Sequence, residues 1–257
     1  MIRKIKRTLG IRFSLKALIR NPAIYLRQWR LPDVGFADLV RDAMASDELL
    51  TLVQVGANDG ATNDPVGKLL HGNPERFTAA LLIEPQGPAF ARLAARYADV
   101  PQVTCLQAAI DRESGERSLF TLDRDTASER LGRTVSDGIA SFDRDHLVRI
   151  LRTYDPSISQ AEISGLIQMT HVPVMPIGQA LETAGIAKPP TIVLIDTEGY
   201  DGAIIHMLAE ADIWPRLIQY EHKHLDAPER RTVAWLLLDK GYRLRADHAD
   251  AWGWREV

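Results

Sequence analysis

The sequence predicts an α/β protein built on a mostly parallel sheet with helices on both faces. Three observations carry this reading: from Leu50 onward short apolar runs alternate with helical segments, the first run ends in a glycine turn, and several later runs end in acids. Strands that are apolar throughout, rather than alternating, belong to sheets buried on both sides. With 257 residues, 46% hydrophobic and 25% charged, the chain is long enough for one sizeable domain and an appended arm.

Residues 1–49 read as a basic helical arm. Residues 1–32 carry nine Lys or Arg and no acid, although the whole chain has a net charge of −3, so the remainder is acidic. Ile11, Phe13, Leu15, Leu18, Ile19, Ile24, Tyr25 and Trp29 interleave with the basic residues. Pro22 divides the segment into two short helices, because proline fits a first helical turn and breaks an interior. A third helix is expected over Val34–Ala45. Such an arm suits docking on an anionic surface, most simply the inner face of a membrane, or packing onto the domain or a second subunit. Nucleic acid is not expected as a partner, since the acidic body would repel it. The single cysteine, Cys105, rules out an intramolecular disulfide and sits in the apolar run 103–106, where it reads as a packing residue. No apolar stretch approaches the roughly 20 residues of a membrane span. No secretory signal is evident, and a cytoplasmic location, peripheral at the membrane, is the expectation.

Residues 50–257 read as the domain proper. Thr51–Val55 is the first strand, and Asp64-Pro65 supplies an N-cap and a first helical proline. Ala79–Ile83 is the second strand, Ala89–Tyr97 a helix and Val103–Ala108 the third strand. Residues 111–175 then break the rhythm. Arg117–Leu122 is an extra strand, Asp125–Asp145 is polar and turn-rich, and Leu147–Met169 reads as helices broken at Asp155-Pro156. An insertion of this length between sheet strands is either a lid over a site or a structural addition. Thr191–Ile195 resumes the sheet, followed by a helix through Ile204, Ile205 and Leu208. Leu217–Tyr220 is a strand, Arg230–Lys240 a helix stopped by Gly241, and Tyr242–Arg245 and Ala251–Arg255 are closing strands.

Ligands of open α/β sheets bind beyond the carboxyl ends of the strands, so the strand ends locate the site. The first gives Gly56-Ala57-Asn58-Asp59-Gly60: Gly56 permits a tight turn and Gly60 a close approach of ligand to backbone. Asn58 stands where a dinucleotide fingerprint has its second glycine, and Gly67-Lys68 lacks the other residues of a P-loop. The second strand ends in Glu84, at a spacing from the glycine turn that suits a carboxylate bonding both hydroxyls of a ribose. A later strand delivers Asp196-Thr197-Glu198-Gly199-Tyr200-Asp201, and the next Tyr220-Glu221-His222-Lys223-His224. Topology places Asp196 opposite Glu221 and His222 across the mouth of the sheet.

Together, Val55–Gly60, Ile83-Glu84-Pro85, Ile195–Asp201 and Tyr220–His224 resemble the FkbM family of S-adenosylmethionine-dependent methyltransferases over roughly residues 50–245. The resemblance implies a Rossmann-like class I methyltransferase fold with a seven-stranded sheet, and O-methylation, often of sugars. It implies that Asn58 and the helix start near Asp64 receive the methionine carboxylate, Glu84 the ribose, and Ala109, Ile110 and Asp111 the adenine. Gln54 stands where first strands of such enzymes often carry an acid. Asp196 or Glu198 would bind the methionine ammonium or shape the acceptor site.

His222 is the leading general base, or else a satisfied structural histidine; His224 and His146 are weaker candidates. Asp196, Glu221 and His222 also form a possible Mg²⁺ set. Two other classes stay open: a nicotinamide-dependent oxidoreductase, which Asn58 disfavours, and a catalytically idle glycan-binding module.

Overall fold

The computed structural model describes residues 34–46, 48–62, 64, 66–135, 138–186 and 189–255. The two helices expected within residues 1–32 lie outside them.

A seven-stranded sheet forms the body. Its strands are β1 (Leu50–Val55), β2 (Phe77–Ile83), β3 (Val103–Leu106), β8 (Ile192–Ile195), β9 (Leu217–Glu221), β10 (Arg243–Ala246) and β11 (Asp250–Trp254), in the order β10-β11-β9-β8-β1-β2-β3. From β9 to β3 every neighbour is parallel, and β11 alone is reversed, antiparallel to both β9 and β10. This is the predicted Rossmann-like methyltransferase arrangement. Its order reverses at β1, and a site is expected at that switch point.

The apolar strands split their side chains between two cores. Val53, Val55, Leu81, Ile83, Val193 and Ile195 face one side, with α7 (Ile177–Thr183), α8 (Asp201–Glu210) and α9 (Ala227–Asp239). Leu50, Leu52, Ala80, Leu82, Ile192 and Leu194 face the other, with α1 (Phe36–Met44), α2 (Gly67–Gly72) and α3 (Gly87–Arg96). Each fully buried Leu or Ile contributes roughly 1.5–3 kcal/mol. Phe36, Val40 and Ala43 of α1 are buried in this second core, and the Trp252 Nε1–H donates to Val34 O at 3.2 Å. Residues 34–45 therefore pack as part of the domain rather than of a separate arm.

The insertion has a sheet of its own. Strands β4 (Ala109–Ile110), β5 (Gly115–Leu122), β6 (Ala140–Ser141) and β7 (Ile167–Met175) run in the order β4-β7-β5-β6. Its two ends are zipped together, Ala109 and Ile110 pairing with Val174 and Met175, so the chain leaves and re-enters the body at adjacent points. Helices α4 (Arg124–Leu131), α5 (Arg144–Tyr154) and α6 (Gln160–Leu166) complete it around a third core that includes Leu122, Leu147, Leu151 and Ile163.

Three elements differ from the sequence expectations. The third strand stops at Leu106, because the chain crosses to the second sheet instead of continuing to Ala108. The helical reading of Leu147–Met169 ends too late: Ile167 begins β7, which pairs along its length with β5, and its period-2 burial appears only at Val172 and Val174. The polar stretch after Asp125 contains α4, capped by the Asp123 side chain accepting Thr126 N–H at 3.1 Å and ended by Gly132 at φ 59°.

Candidate active site

The ends of β1, β2, β8 and β9 open into a cavity of about 740 Å³, within the range of small-molecule sites. Its floor includes Gln54, Gly56, Ala57, Asn58, Glu84, Asp196, Glu198 and Glu221. Its roof comes from the insertion, through Ile139, His146, Arg149, Ile150, Thr153 and Tyr154. A smaller space of about 60 Å³ adjoins it, between Pro85, Gln86, Ala109 and Ile110 on one side and Ala140, Ser141 and Phe142 of the insertion on the other.

The glycine turn is shaped by its neighbours. Gly56 sits at φ 83°, and a Cβ there would lie 1.8 Å from the Asp196 carbonyl oxygen. Any side chain would force β1 and β8 apart at the floor of the site. Asn58 occupies the left-handed region at φ 47°, where asparagine is among the few tolerated side chains. Glu84 is buried, with Oε2 accepting the Asn58 N–H and Oε1 the Gln86 N–H, each at 2.9 Å. These bonds tie the first strand's turn to the second strand's acid. Burial raises the Glu84 carboxyl despite these two donors.

Among the described residues of the first strand and its turn, Gln54 Oε1 and Asn58 Oδ1 are buried without a hydrogen-bond partner. Orphaned buried acceptors are costly, so they mark where a ligand's donors belong.

Other members of the expected cofactor set lie elsewhere. Asp59 is spent on its own turn, accepting from the Ala61 and Thr62 N–H groups at 2.9 and 2.8 Å. Gly60 is required by packing, since a Cβ would meet Leu93 Cδ1 at 2.7 Å and Tyr97 at 2.9 Å; it does not line the cavity. Ala109 and Ile110 border the smaller space, whereas Asp111 lines neither. Asp111 pairs with Arg117 at 2.6 Å and accepts from the Tyr200 hydroxyl at 3.1 Å, and the Arg117 guanidinium lies 4.0 Å over the Phe142 ring. This clasp fastens the insertion to the loop after β8.

The leading base of the sequence reading is misplaced. His222 is fully buried, its Nε2 lies 3.3 Å from Asp247 O, and it does not line the cavity. Strand alternation explains this: Gln219, Glu221 and Lys223 face the site, so Tyr220 and His222 turn away. His222 therefore also drops out of the possible Mg²⁺ set with Asp196 and Glu221. His224 and His146, ranked lower from sequence, do line the cavity.

The cluster at the mouth of β8 and β9 is densely charged. His224 Nε2 is 3.0 Å from Glu198 Oε2 and 3.4 Å from Glu221 Oε2, and Lys223 pairs with Glu221. Glu198 holds a left-handed backbone at φ 51°, a strained conformation of the kind that gathers at functional sites. Burial raises the Glu221 carboxyl to about 9, with Asp196 and Glu198 adding to the effect. Asp196 opens into the cavity yet is enclosed by protein on most sides, and that enclosure and Glu198 raise it above the usual carboxylate range. For Glu198, burial is outweighed by the hydrogen bond to His224 and the charges of His224 and Lys223, so it is lowered.

Asp201 is a support the sequence reading grouped with the site. It is wholly buried, accepting from Thr197 N–H and Oγ1–H at 3.3 and 2.9 Å and from the Glu221 N–H at 3.0 Å. It thus pins the β8 loop to the end of β9. Burial, then Asp196, pushes it from 3.8 to about 8.

The native state consequently holds a proton on Asp201 that the unfolded chain releases near pH 4. Stability from this group is full below that pH and is lost as pH rises through about 8. Urea unfolding at pH 6 and pH 9 is expected to give a lower midpoint at pH 9, with a smaller drop for Asp201→Asn. Equal drops in both proteins would contradict the assignment to Asp201.

No protein-family model matches the sequence, and no curated protein does. Among solved structures, the chain is similar to methyltransferase FkbM from Methylobacillus flagellatus KT, at 14% identity and a TM-score of 0.48 over 86% of this chain and 48% of that one. This chain thus spans about half the length of that protein. It is also similar to precorrin-6y C5,15-methyltransferase from Geobacter metallireducens GS-15, at 9% identity and a TM-score of 0.40, covering 86% and 87% of the two chains. A third is Aeropyrum pernix fibrillarin in complex with natively bound S-adenosyl-L-methionine, at 9% identity and a TM-score of 0.37, covering 80% and 66%.

Proposed function

We propose that the protein is an S-adenosylmethionine-dependent O-methyltransferase acting on a hydroxyl of a saccharide or glycan. One observation carries the cofactor reading: the glycine turn and Glu84 are bonded together at the switch point of the sheet, beside two unpartnered oxygens. These acceptors fit the hydroxyls and the ammonium of the cofactor. Glu84 would hold the ribose, and Ala109 and Ile110 with Pro85 would flank the adenine. Gln54 and Asn58 would take up donors at the methionine end. Asp64 also lines the cavity, so an acid and two amide oxygens make this end suit an ammonium better than the carboxylate expected from sequence.

When bound, the cofactor supplies a methyl group on an electrophilic sulfonium. The chain's own residues must then orient the hydroxyl and accept its proton. Asp196 is the fitting acceptor: it is more exposed than Glu198 and Glu221 beside it, and its raised proton affinity brings it nearer to neutrality. The roof from the insertion would exclude water and shape the acceptor site. A saccharide is favoured by the resemblance to the FkbM family and by the many polar groups on these walls.

Asp196→Asn is expected to lower the rate of methyl transfer about 10²–10⁴-fold, the usual worth of a general base, while S-adenosylhomocysteine still binds. The test is tritium transfer from labelled S-adenosylmethionine across a panel of sugars, with hydride transfer from NADH as the competing assay. Wild-type transfer by the variant would remove Asp196 from the chemistry.

A further inference from the structure

We propose that His146, Glu198 and His224 form a binding site for a divalent transition-metal cation, which ties the insertion to the sheet. The ligand atoms of these three side chains all lie within 4.8 Å of one another. They come from three separate segments: His146 from α5 of the insertion, Glu198 from the loop after β8, and His224 from the segment after β9. The two imidazoles meet edge to face with centroids 4.7 Å apart.

His146 is the independent pointer to a ligand. It is only 6% exposed, it lines the cavity, and its Nε2 has no hydrogen-bond partner. A buried imidazole nitrogen left unpaired is costly, whereas coordination would satisfy it. Beside it, Asp196, Glu198 and Glu221 gather three carboxyl groups at the mouth of the sheet. Glu221, whose carboxyl oxygen lies within the same 4.8 Å of Glu198, stands beside the three as a further oxygen ligand.

The donor set selects the class of metal. Two imidazoles and one carboxylate suit Zn²⁺ and neighbouring transition metals, as in catalytic sites that keep open positions. Mg²⁺ and Ca²⁺ prefer sites made of oxygen. This differs from a Mg²⁺ site on Asp196, Glu221 and His222, because His222 faces away. A cation so placed would also hold an acceptor hydroxyl next to Asp196; that role rests on the methyltransferase reading, whereas metal binding does not.

The test uses the full chain after dialysis against EDTA, titrated calorimetrically with Zn²⁺ and, separately, Mg²⁺. One Zn²⁺ per chain is expected, with Mg²⁺ binding at least about 100-fold more weakly. Losing a supporting partner of a metal ligand costs 10–100-fold in affinity, so His146→Ala and His224→Ala should each weaken Zn²⁺ by about 100-fold or more. His171→Ala, on the exposed part of β7, should bind like wild type. Visible absorption of cobalt bound to the wild-type protein reports a four- or five-coordinate site without any variant, so the outcome stands even if an alanine variant fails to fold. No Zn²⁺ binding, no four- or five-coordinate cobalt bands, or equal Zn²⁺ affinity in folded His146→Ala would overturn the site. S-adenosylhomocysteine titrated into the same metal-free protein separates the readings: binding there without Zn²⁺ binding removes the metal alone.

Discussion

Gly56→Ala is expected to destabilise the protein by about 3 kcal/mol or more, the sum of a left-handed backbone penalty and a forced overpacking. The added methyl would stand 1.8 Å from the Asp196 carbonyl oxygen, and that atom belongs to the backbone and cannot rotate away. Relief requires β8 to move from β1, which breaks the ladder that carries Val55 opposite Ile195. At about 2–4 °C per kcal/mol for a domain of this size, the melting temperature should fall by roughly 6–12 °C. Gly132→Ala makes a useful comparison, because it also has a positive φ, of 59°, but nothing lies near its would-be Cβ. Its loss should be confined to the backbone term of about 1–2 kcal/mol. Equal melting temperatures for the two variants would mean that the contact with Asp196 is not what fixes Gly56.

The second large effect belongs to Glu84. Replacing it with alanine removes the acceptor for a ribose and also frees the Asn58 and Gln86 N–H groups, so the turn loses its tether. Two charge-assisted hydrogen bonds, each worth about 1.5–3 kcal/mol, correspond to at least a 100-fold loss in affinity for S-adenosylhomocysteine. Glu84→Gln keeps the shape and one acceptor, and should fall between wild type and alanine. Calorimetric titration of the three proteins checks the order. Unchanged affinity in Glu84→Ala would dismiss the ribose role.

Much of the sheet was legible from sequence because its signal is local. Apolar runs such as Leu50–Val55 and Ile192–Ile195 are buried on both faces, so each announces itself without reference to a partner. The insertion was less legible. Ile167–Met175 is a strand only through its pairing with β5, more than forty residues away, and its own pattern of exposed Gln168, Met169, Thr170 and His171 carries little strand character. The same limit applied to the site. Glu84 and the glycine turn could be paired by spacing alone. His222 could not be separated from His224 until strand alternation was anchored by Glu221 facing the cavity. His146 is brought to the acids by the fold of the insertion, and nothing in its neighbourhood of the sequence signals that. Asp201 looked like a third acid of the site and is instead the bracket beneath it, a distinction that rests on its complete burial.

The most direct test of the account is calorimetric titration of the full chain with S-adenosylhomocysteine, with NADH titrated in parallel. One S-adenosylhomocysteine is expected to bind per chain, with competition by S-adenosylmethionine and no heat from NADH. Binding of NADH with no response to S-adenosylhomocysteine would contradict it.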